Sequence, residues 1–113
     1  TKDGKTFRFG YDDTVGSWSP LLKSTDELDR QGGAQALGWL TKSKEQKDKV
    51  IPALIKALKD PIMEVRRSAV ESLGNIGDDR AAEILNLMLK DKDEWVRDAA
   101  EDAMKKIRHT AAK

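Results

Sequence analysis

The sequence contains no cysteine and a single histidine among its 113 residues. Without cysteine the chain can form neither a disulfide nor a thiolate zinc site, and it has no thiol nucleophile. A single histidine excludes every metal motif and every mechanism that needs two. No apolar run approaches the 18 residues of a membrane-spanning helix, so we expect no membrane span. The absence of cysteine is typical of a reducing compartment and favours a cytoplasmic location.

Charge is abundant but balanced. Charged residues make up 36% of the chain, hydrophobic residues 38%, and the net charge is only +1. Such a composition folds, because a disordered chain combines low hydrophobicity with high net charge. The length allows one small domain. A domain this close to neutral lacks the strong basic charge typical of nucleic-acid binding.

Two stretches of the chain repeat each other at an offset of 31 residues. The matched pairs are Asp60 with Asp91, Val65 with Val96, Arg66 with Arg97, Ala69 with Ala100, Leu73 with Met104 and Ile76 with Ile107. A weaker upstream copy, at an offset of 36, places Leu37-Gly38 on Leu73-Gly74. It departs from the pattern at Asp29 and Gly33, so its second helix is the least certain. The chain is therefore predicted to stack similar units.

Each copy has the apolar spacing of two helices. Val50, Ile51, Leu54, Ile55 and Leu58 form one stripe, with Pro52 predicted in the first turn of a helix that begins near Lys49. Residues 41–49 are accordingly predicted to be a loop.

The ends of these helices carry their own signals. Asp60-Pro61 predicts the turn between the two helices of a pair. Gly77 suits a left-handed position after the second helix, and Asp78 suits the next N-cap. Asp91 and Asp93 are interpreted as a turn residue and an N-cap.

The repeated segment reads DPIMEVRRSAVESLGNIGDDRAAEILNLMLKDKDEWVRDAAEDAMKKI. It resembles the HEAT-like repeat of bilin lyases and many prokaryotic proteins, closely over 48–108 and loosely over 14–47. The resemblance implies an all-α, right-handed α-solenoid of about three antiparallel helix pairs, with repeats at 14–40, 48–76 and 79–108. It also implies that the second helices line a concave face. A ladder between repeats is implied for Asp60, Arg66, Asp91 and Arg97.

Residues 1–13 do not match the repeat and are predicted to be an irregular extension. Phe7, Phe9 and Tyr11 alternate with other residues in the period of a strand, yet no second strand is predicted. Three alternatives are open: a cap on the first helix pair, which we prefer, pairing with another chain, or disorder.

No catalytic residue, cofactor or metal site is expected. Arg66 and Arg97 could clamp an anion, but a structural role in the ladder is preferred. Asp91-Lys-Asp-Glu lacks the glycine and glutamate of a calcium loop, and His109 is interpreted as a helix-end residue. The iron-dependent hydroxylases built on related repeats use His-Glu pairs, which this chain lacks.

The predicted function is a non-enzymatic scaffold that presents a curved helical surface to a protein. Trp18 aligns with Leu54 and is predicted to lie in the core, whereas Trp39 and Trp95 align with polar positions and are expected at a surface. The partner-binding candidates are the outward positions of the second helices, namely Trp39, Arg67, Val70, Glu71, Trp95, Asp98, Glu101 and Asp102.

Two other functions are alternatives. One is an accessory role in bilin attachment or removal, which the resemblance alone suggests. The other is weak nucleic-acid binding through a lysine loop (Lys42, Lys44, Lys47 and Lys49) and the basic C-terminus. Self-association through the ends of the stack is also expected to be possible.

Overall fold

The computed structural model describes residues 15–111, so the expectations for residues 1–13 lie outside the described residues. Within these residues, six α-helices follow one another. They are α1 (Val15–Trp18), α2 (Glu27–Leu40), α3 (Lys44–Ala57), α4 (Met63–Ile76), α5 (Ala82–Met88) and α6 (Glu94–Ala111). Short 3-10 turns extend α1 over Ser19–Lys23 and precede α5 over Asp79–Ala81. No strand occurs within residues 15–111.

The helices form three pairs. In each pair a first helix (α1, α3 or α5) packs against the helix that follows it, and the second helices stack in a row, α2 against α4 and α4 against α6. Each helix buries one apolar stripe, and none of these short helices can do so alone. The predicted α-solenoid of three helix pairs is confirmed.

The core lies between the two rows of helices. The predicted stripes are buried, including Val50, Leu54, Val65, Leu73 and Val96. Trp18 packs against this core from α1, as predicted. Burying such aliphatic side chains contributes about 1.5 to 3 kcal/mol each, which makes this interface the main source of stability.

The second helices approach each other closely at two glycines. A Cβ atom on Gly74 would lie 2.7 Å from Ala103, and one on Gly38 would lie 2.5 Å from the Ser72 hydroxyl. That hydroxyl donates a hydrogen bond to the carbonyl of Ala34 across the same contact. The Leu-Gly pairs of the repeat therefore set the distance between successive second helices.

The second helix of the first copy is intact despite Gly32 and Gly33. Asp26 caps it by accepting a hydrogen bond from the Leu28 backbone nitrogen at 2.8 Å. Gly33 is buried where a Cβ atom would lie 2.8 Å from that of Leu21. The glycine thus allows the 3-10 turn to lie on α2, and this packing outweighs its low helix propensity.

The predicted beginning of α3 is wrong. The helix begins at Lys44 rather than near Lys49, because Ser43 and Gln46 form a capping box that satisfies the first backbone groups. Pro52 consequently lies inside the helix and not in its first turn. Three of the four lysines assigned to a loop, Lys44, Lys47 and Lys49, lie on this helix, so the lysine loop is also wrong.

The predicted helix ends are correct. Gly77 has φ 73°, in the left-handed region, and its backbone nitrogen donates to the Leu73 carbonyl. Asp78 caps the next turn through the Arg80 backbone nitrogen at 2.9 Å. The Trp95 backbone nitrogen donates to the Asp93 carboxylate at 2.9 Å, which confirms the N-cap expected there.

A ladder of arginine and aspartate joins successive pairs. Arg66 donates to both carboxylate oxygens of Asp91, from Nε at 3.0 Å and from Nη2 at 3.2 Å. Arg30 holds Asp60 in the same way, at 2.8 and 3.3 Å. The ladder expected for Asp60, Arg66 and Asp91 is confirmed, and Arg30 extends it to the first pair. The expectation for Arg97 is wrong within residues 15–111, where this arginine bonds only to the turn of its own pair.

Each arginine is also fixed within its own pair. Nη1 of Arg66 donates to the carbonyl of Asp60 at 2.8 Å, six residues earlier in the turn. Arg30 and Arg97 make the same bond to the carbonyls of Ser24 and Asp91, at 3.0 and 2.7 Å. The guanidinium groups of Arg30 and Arg66 therefore each link the turn of their own pair to the turn of the next pair.

The ladder changes the ionisation of Asp60. Burial by itself raises the pKa of this carboxyl, but hydrogen bonds from Arg30 and the Ile62 backbone nitrogen outweigh burial, with help from the charges of Arg30 and Arg66. The pKa of Asp60 therefore lies below its ordinary value of 3.8. The hydrogen bond to Asp60 in turn raises the pKa of Arg30.

Removing Arg66 should be far more costly than removing its neighbour Arg67. The Arg66 and Asp91 side chains are only 7% and 9% exposed, so Arg66→Ala strands a buried carboxylate and should lower the free energy of unfolding by about 3 kcal/mol. Arg67 and Glu71 are 47% and 45% exposed, and Arg67→Ala should cost less than about 0.5 kcal/mol. Urea unfolding followed by circular dichroism measures both, and equal losses would contradict the ladder.

Acid should destabilise the fold through Asp60. Its pKa is lower in the folded than in the unfolded chain, so its contribution is complete above about pH 4 and is lost as the pH falls below 3.8. Urea midpoints at pH 7, 4 and 3 should fall less steeply for Asp60→Asn than for the native chain. Asp98→Asn, at an exposed residue, should keep the native dependence, and an unchanged dependence in Asp60→Asn would contradict the assignment.

Candidate functional site

Two tryptophans stand out on the solvent side of the second helices. Trp39 on α2 is 65% exposed and Trp95 on α6 is 59% exposed, although large apolar side chains are normally buried. The expectation that both lie at a surface is confirmed. They mark the two outer helices of the row, with α4 between them.

Helix α2 carries a second exposed apolar side chain, Leu28. Leu28 is the most exposed large hydrophobic residue of the part of the chain described here. It precedes Trp39 by 11 residues, which is about three helical turns, so the two lie on the same side of α2. Gln35 lies between them on that side. This end of the row therefore offers an apolar edge to solvent.

One groove crosses the row of second helices from α2 to α6. It encloses about 230 Å³. Its lining includes Gln35, Trp39, Glu71, Asn75, Asp102 and Lys106. Lys106 donates to the side-chain oxygen of Asn75 at 2.8 Å and so links α6 to α4. The groove is polar along its floor and has an indole at its α2 end.

A second groove lies between α4 and the beginning of α6, also about 230 Å³. It is lined by Arg67, Glu71, Trp95, Asp98, Ala99 and Asp102. Arg67 and Glu71, one turn apart on α4, form an exposed ion pair at 3.3 Å. Glu71 and Asp102 border both grooves, so the two form one surface, which we call the second-helix face.

The second-helix face is acidic. Its carboxylates, Glu71, Asp98 and Asp102, outnumber its cations, Arg67 and Lys106. Arg67 is paired with Glu71, which leaves Asp98 and Asp102 exposed without an ion pair among residues 15–111. A partner with positive charge therefore meets a complementary surface here.

Six of the eight predicted binding residues come together on this face: Trp39, Arg67, Glu71, Trp95, Asp98 and Asp102. Glu101 is exposed but lines neither groove. Val70 is completely buried, so its prediction as an outward residue is wrong. The reason is that α4 is packed on both sides, and Val70 lies one turn from both Arg66 and Gly74, which contact the third pair.

The sequence reasoning missed Leu28, Gln35, Asn75 and Lys106. A signal for two of them was present, since the repeat offsets that align Trp39 with Asn75 also align Asn75 with Lys106. Leu28 falls at the position of Trp95 in the third copy. Comparing all three copies position by position would have identified this row.

The lysines proposed for phosphate contact lie among acids. Lys44 and Lys47 border a cleft with Asp48, Asp78, Asp79 and Arg80. Arg80 pairs with Asp48 at 2.8 Å and with Asp78 at 3.0 Å. Its hydrogen bond lowers the pKa of Asp78. This mixture of charges is not the basic stripe that nucleic-acid binding needs.

The remaining candidates have structural positions. Asp91 accepts from Arg66 and from the Asp93 backbone nitrogen, and His109 lies exposed in the last turns of α6. Within residues 15–111 no group of histidine, aspartate and glutamate side chains is arranged to hold a metal ion. None of the helices in this range is both long and apolar enough to cross a bilayer.

A larger cavity lies elsewhere in residues 15–111, between the first helices. It encloses about 740 Å³ and is lined by residues that include Val15, Pro20, Lys23, Lys49 and Ala53. Neither exposed tryptophan of the second helices lies in its lining, so the candidate site is built on the second helices.

In a comparison with protein families, the family model described as HEAT repeats matches residues 15–105. Comparison with curated proteins gives no match.

Among solved structures, human deoxyhypusine hydroxylase in complex with glycerol is similar, with a TM-score of 0.72 and 24% sequence identity. An engineered protein is similar with a TM-score of 0.67 and 25% identity. Each likeness covers 84% of this chain, but only 32% of the hydroxylase and 45% of the engineered protein. The chain thus spans less than half of either structure, and the likeness to the hydroxylase is one of fold alone.

Proposed function

The chain belongs to the HEAT-repeat family, and on that premise we propose that it acts as a non-enzymatic scaffold that binds a protein partner on its second-helix face. The observation that carries the proposal is the exposure of Trp39 and Trp95 at the two ends of one grooved surface. Tryptophan is enriched among the residues that dominate binding energy at protein interfaces.

The stacked helices support this function by keeping the surface rigid. The arginine ladder fixes each pair to the next, and Gly38 and Gly74 hold the second helices close together. A rigid surface loses little conformational entropy when a partner binds. The indoles and carboxylates of the face are therefore already in position before the partner arrives.

Charge supports a partner whose contact surface carries lysine or arginine. Asp98 and Asp102 lie beside Trp95, so one cation can meet a carboxylate and an aromatic ring together. Such complementarity acts mainly on the association rate and on selectivity. Raising the salt concentration should accordingly slow association more than it speeds dissociation.

The non-enzymatic part of the proposal is supported by the chemistry of the grooves. Their ionisable side chains are exposed, and several are held in structural contacts such as Arg67 with Glu71 and Lys106 with Asn75. The chain's only histidine lies outside both grooves. The similar human hydroxylase carries no activity over to this chain, because the likeness is one of fold.

The accessory role in bilin chemistry stays a prediction that rests on the resemblance. Mixing the purified chain with a free bilin and recording the absorbance spectrum tests it directly.

Replacing Trp95 should weaken binding without unfolding the domain. Because its ring is exposed, Trp95→Ala should change the free energy of unfolding by less than about 0.5 kcal/mol, whereas loss of an interface anchor costs about 2 kcal/mol or more, roughly 30-fold in affinity. Partners captured by the immobilised native chain are identified, and their affinities are measured by calorimetry.

Leu87→Ala is the matched control. Leu87 on α5 is also 59% exposed and lies away from the second-helix face. The control should bind as the native chain does. An unchanged affinity in both Trp95→Ala and Trp39→Ala would reject this face as the binding surface.

A further inference from the structure

We propose that the outer side of α6 is a second binding surface, which takes an acidic peptide segment of a partner protein with one carboxylate held by Arg97. This surface consists of Arg97, Glu101, Met104, Lys105 and Arg108, and we call it the end face. It is independent of the second-helix face, which is centred on Trp95, Asp98 and Asp102.

The arginines equivalent to Arg97 in the other two copies show which contacts this position of the repeat makes. Arg30 and Arg66 each donate through Nε and Nη2 to both oxygens of an aspartate in the next pair. In each case Nη1 is fixed by a turn carbonyl of the arginine's own pair, at 3.0 and 2.8 Å. The fixed nitrogen aims the other two at the carboxylate, and such a fork fits a carboxylate in two parallel bonds.

Arg97 makes the same hydrogen bond to a turn carbonyl, but no carboxylate of residues 15–111 accepts from it. Its Nη1 donates to the Asp91 carbonyl at 2.7 Å. Among residues 15–111, Nε and Nη2 of Arg97 have no hydrogen-bond or ion-pair partner. The side chain is half-buried, so the fork is preorganised and still reachable from solvent. In the other two copies, an aspartate of the following pair accepts these two hydrogen bonds.

The surroundings of Arg97 favour an acidic occupant. On α4, Val70 and Gly74 lie one and two turns after Arg66 and face the next pair. The same positions on α6 hold Glu101 and Lys105. Arg108 stands at the position of Gly77. The end face thus carries three cations and one carboxylate, all exposed except for half-buried Arg97, and a second carboxylate, exposed Glu94, lies one turn before Arg97.

The same positions argue against another helix of this kind as the occupant. Gly74 lets α6 approach α4, since a Cβ atom there would lie 2.7 Å from Ala103. Lys105 stands in its place on α6, so a helix cannot approach at that distance. A peptide segment has no such requirement, and half-buried Met104 gives it an apolar contact beside the fork.

The first pair also lacks a carboxylate at the turn position that the ladder uses. That position holds Asp60 and Asp91 in the later pairs and Ser24 in the first. Ser24 keeps the local role, since its hydroxyl accepts from the Asp26 backbone nitrogen at 3.1 Å. It therefore offers no acid to the Arg97 of another copy, which favours a different protein as the source of the carboxylate.

The test uses the full chain and a fluorescein-labelled nine-residue peptide of alternating aspartate and leucine. Fluorescence anisotropy should show binding at least ten-fold tighter than for the same peptide with asparagine in place of aspartate. Arg97→Lys keeps the charge but loses the fork, and it should weaken binding at least ten-fold. The matched control Arg80→Lys, at an arginine that is 46% exposed and lies outside both faces, should change binding less than two-fold.

Two further measurements keep the test decisive. Glu101→Gln removes the one acid of the end face without touching the fold and should tighten binding two-fold or more. Trp95→Ala should leave peptide binding unchanged, so failure of this proposal is distinguishable from failure of the second-helix face. Nuclear magnetic resonance should show a shift of the Arg97 Nε–H signal on titration.

Three results would overturn the proposal. Equal losses in Arg97→Lys and Arg80→Lys would mean attraction to general positive charge and no specific fork. Unchanged binding in Arg97→Lys together with an unshifted Arg97 Nε–H signal would place the peptide elsewhere. Sedimentation equilibrium showing a dimer that Arg97→Lys dissociates would make a second copy the occupant.

Discussion

The contact between Arg66 and Asp91 is the constraint on which the rest of the structure depends. It fixes the distance and rotation between the second and third pairs, and Arg30 with Asp60 does the same between the first and second. Apolar packing alone supplies more energy but little direction, because aliphatic surfaces slide over one another. A guanidinium fork accepts a carboxylate in one geometry. The grooves of the second-helix face keep their shape because this register is fixed.

Most of the fold could be predicted from the sequence because the repeat displays it more than once. A buried position such as Val65 recurs as Val96, and the turn residue Asp60 recurs as Asp91, so each copy supports the other. The beginning of α3 was predicted wrongly because a capping box of Ser43 and Gln46 sets it. This capping box lies in the segment where the copies differ in length. Local hydrogen bonds decided that boundary, and apolar spacing carries no information about them.

The candidate site could be predicted in part, for a related reason. Helical spacing separates an inside from an outside and so found Glu71 and Asp102, whereas the alignment of Trp39 with a polar position of the next copy found that tryptophan. Helical spacing failed at Val70 because a middle helix in a stack has two buried sides, one of which is covered only by the following pair. Residue type shows this where spacing does not: the position is valine in the middle copy and glutamate, Glu101, in the last. Comparing copies therefore separates surfaces that stack from surfaces that face solvent.

The ladder has a direction, and this direction makes the two ends of the stack different. Arg30 and Arg66 donate toward the following pair, so within residues 15–111 the fork of Arg97 is unfilled and the turn at Ser24 receives no arginine from a preceding pair. Here the turn residue is Ser24, whose hydroxyl serves its own turn but cannot replace a carboxylate as a bidentate acceptor. End-to-end association of copies would lack the contact that sets the register within each copy. A serine in place of aspartate at this turn thus removes the ladder contact through which a second copy could extend the stack.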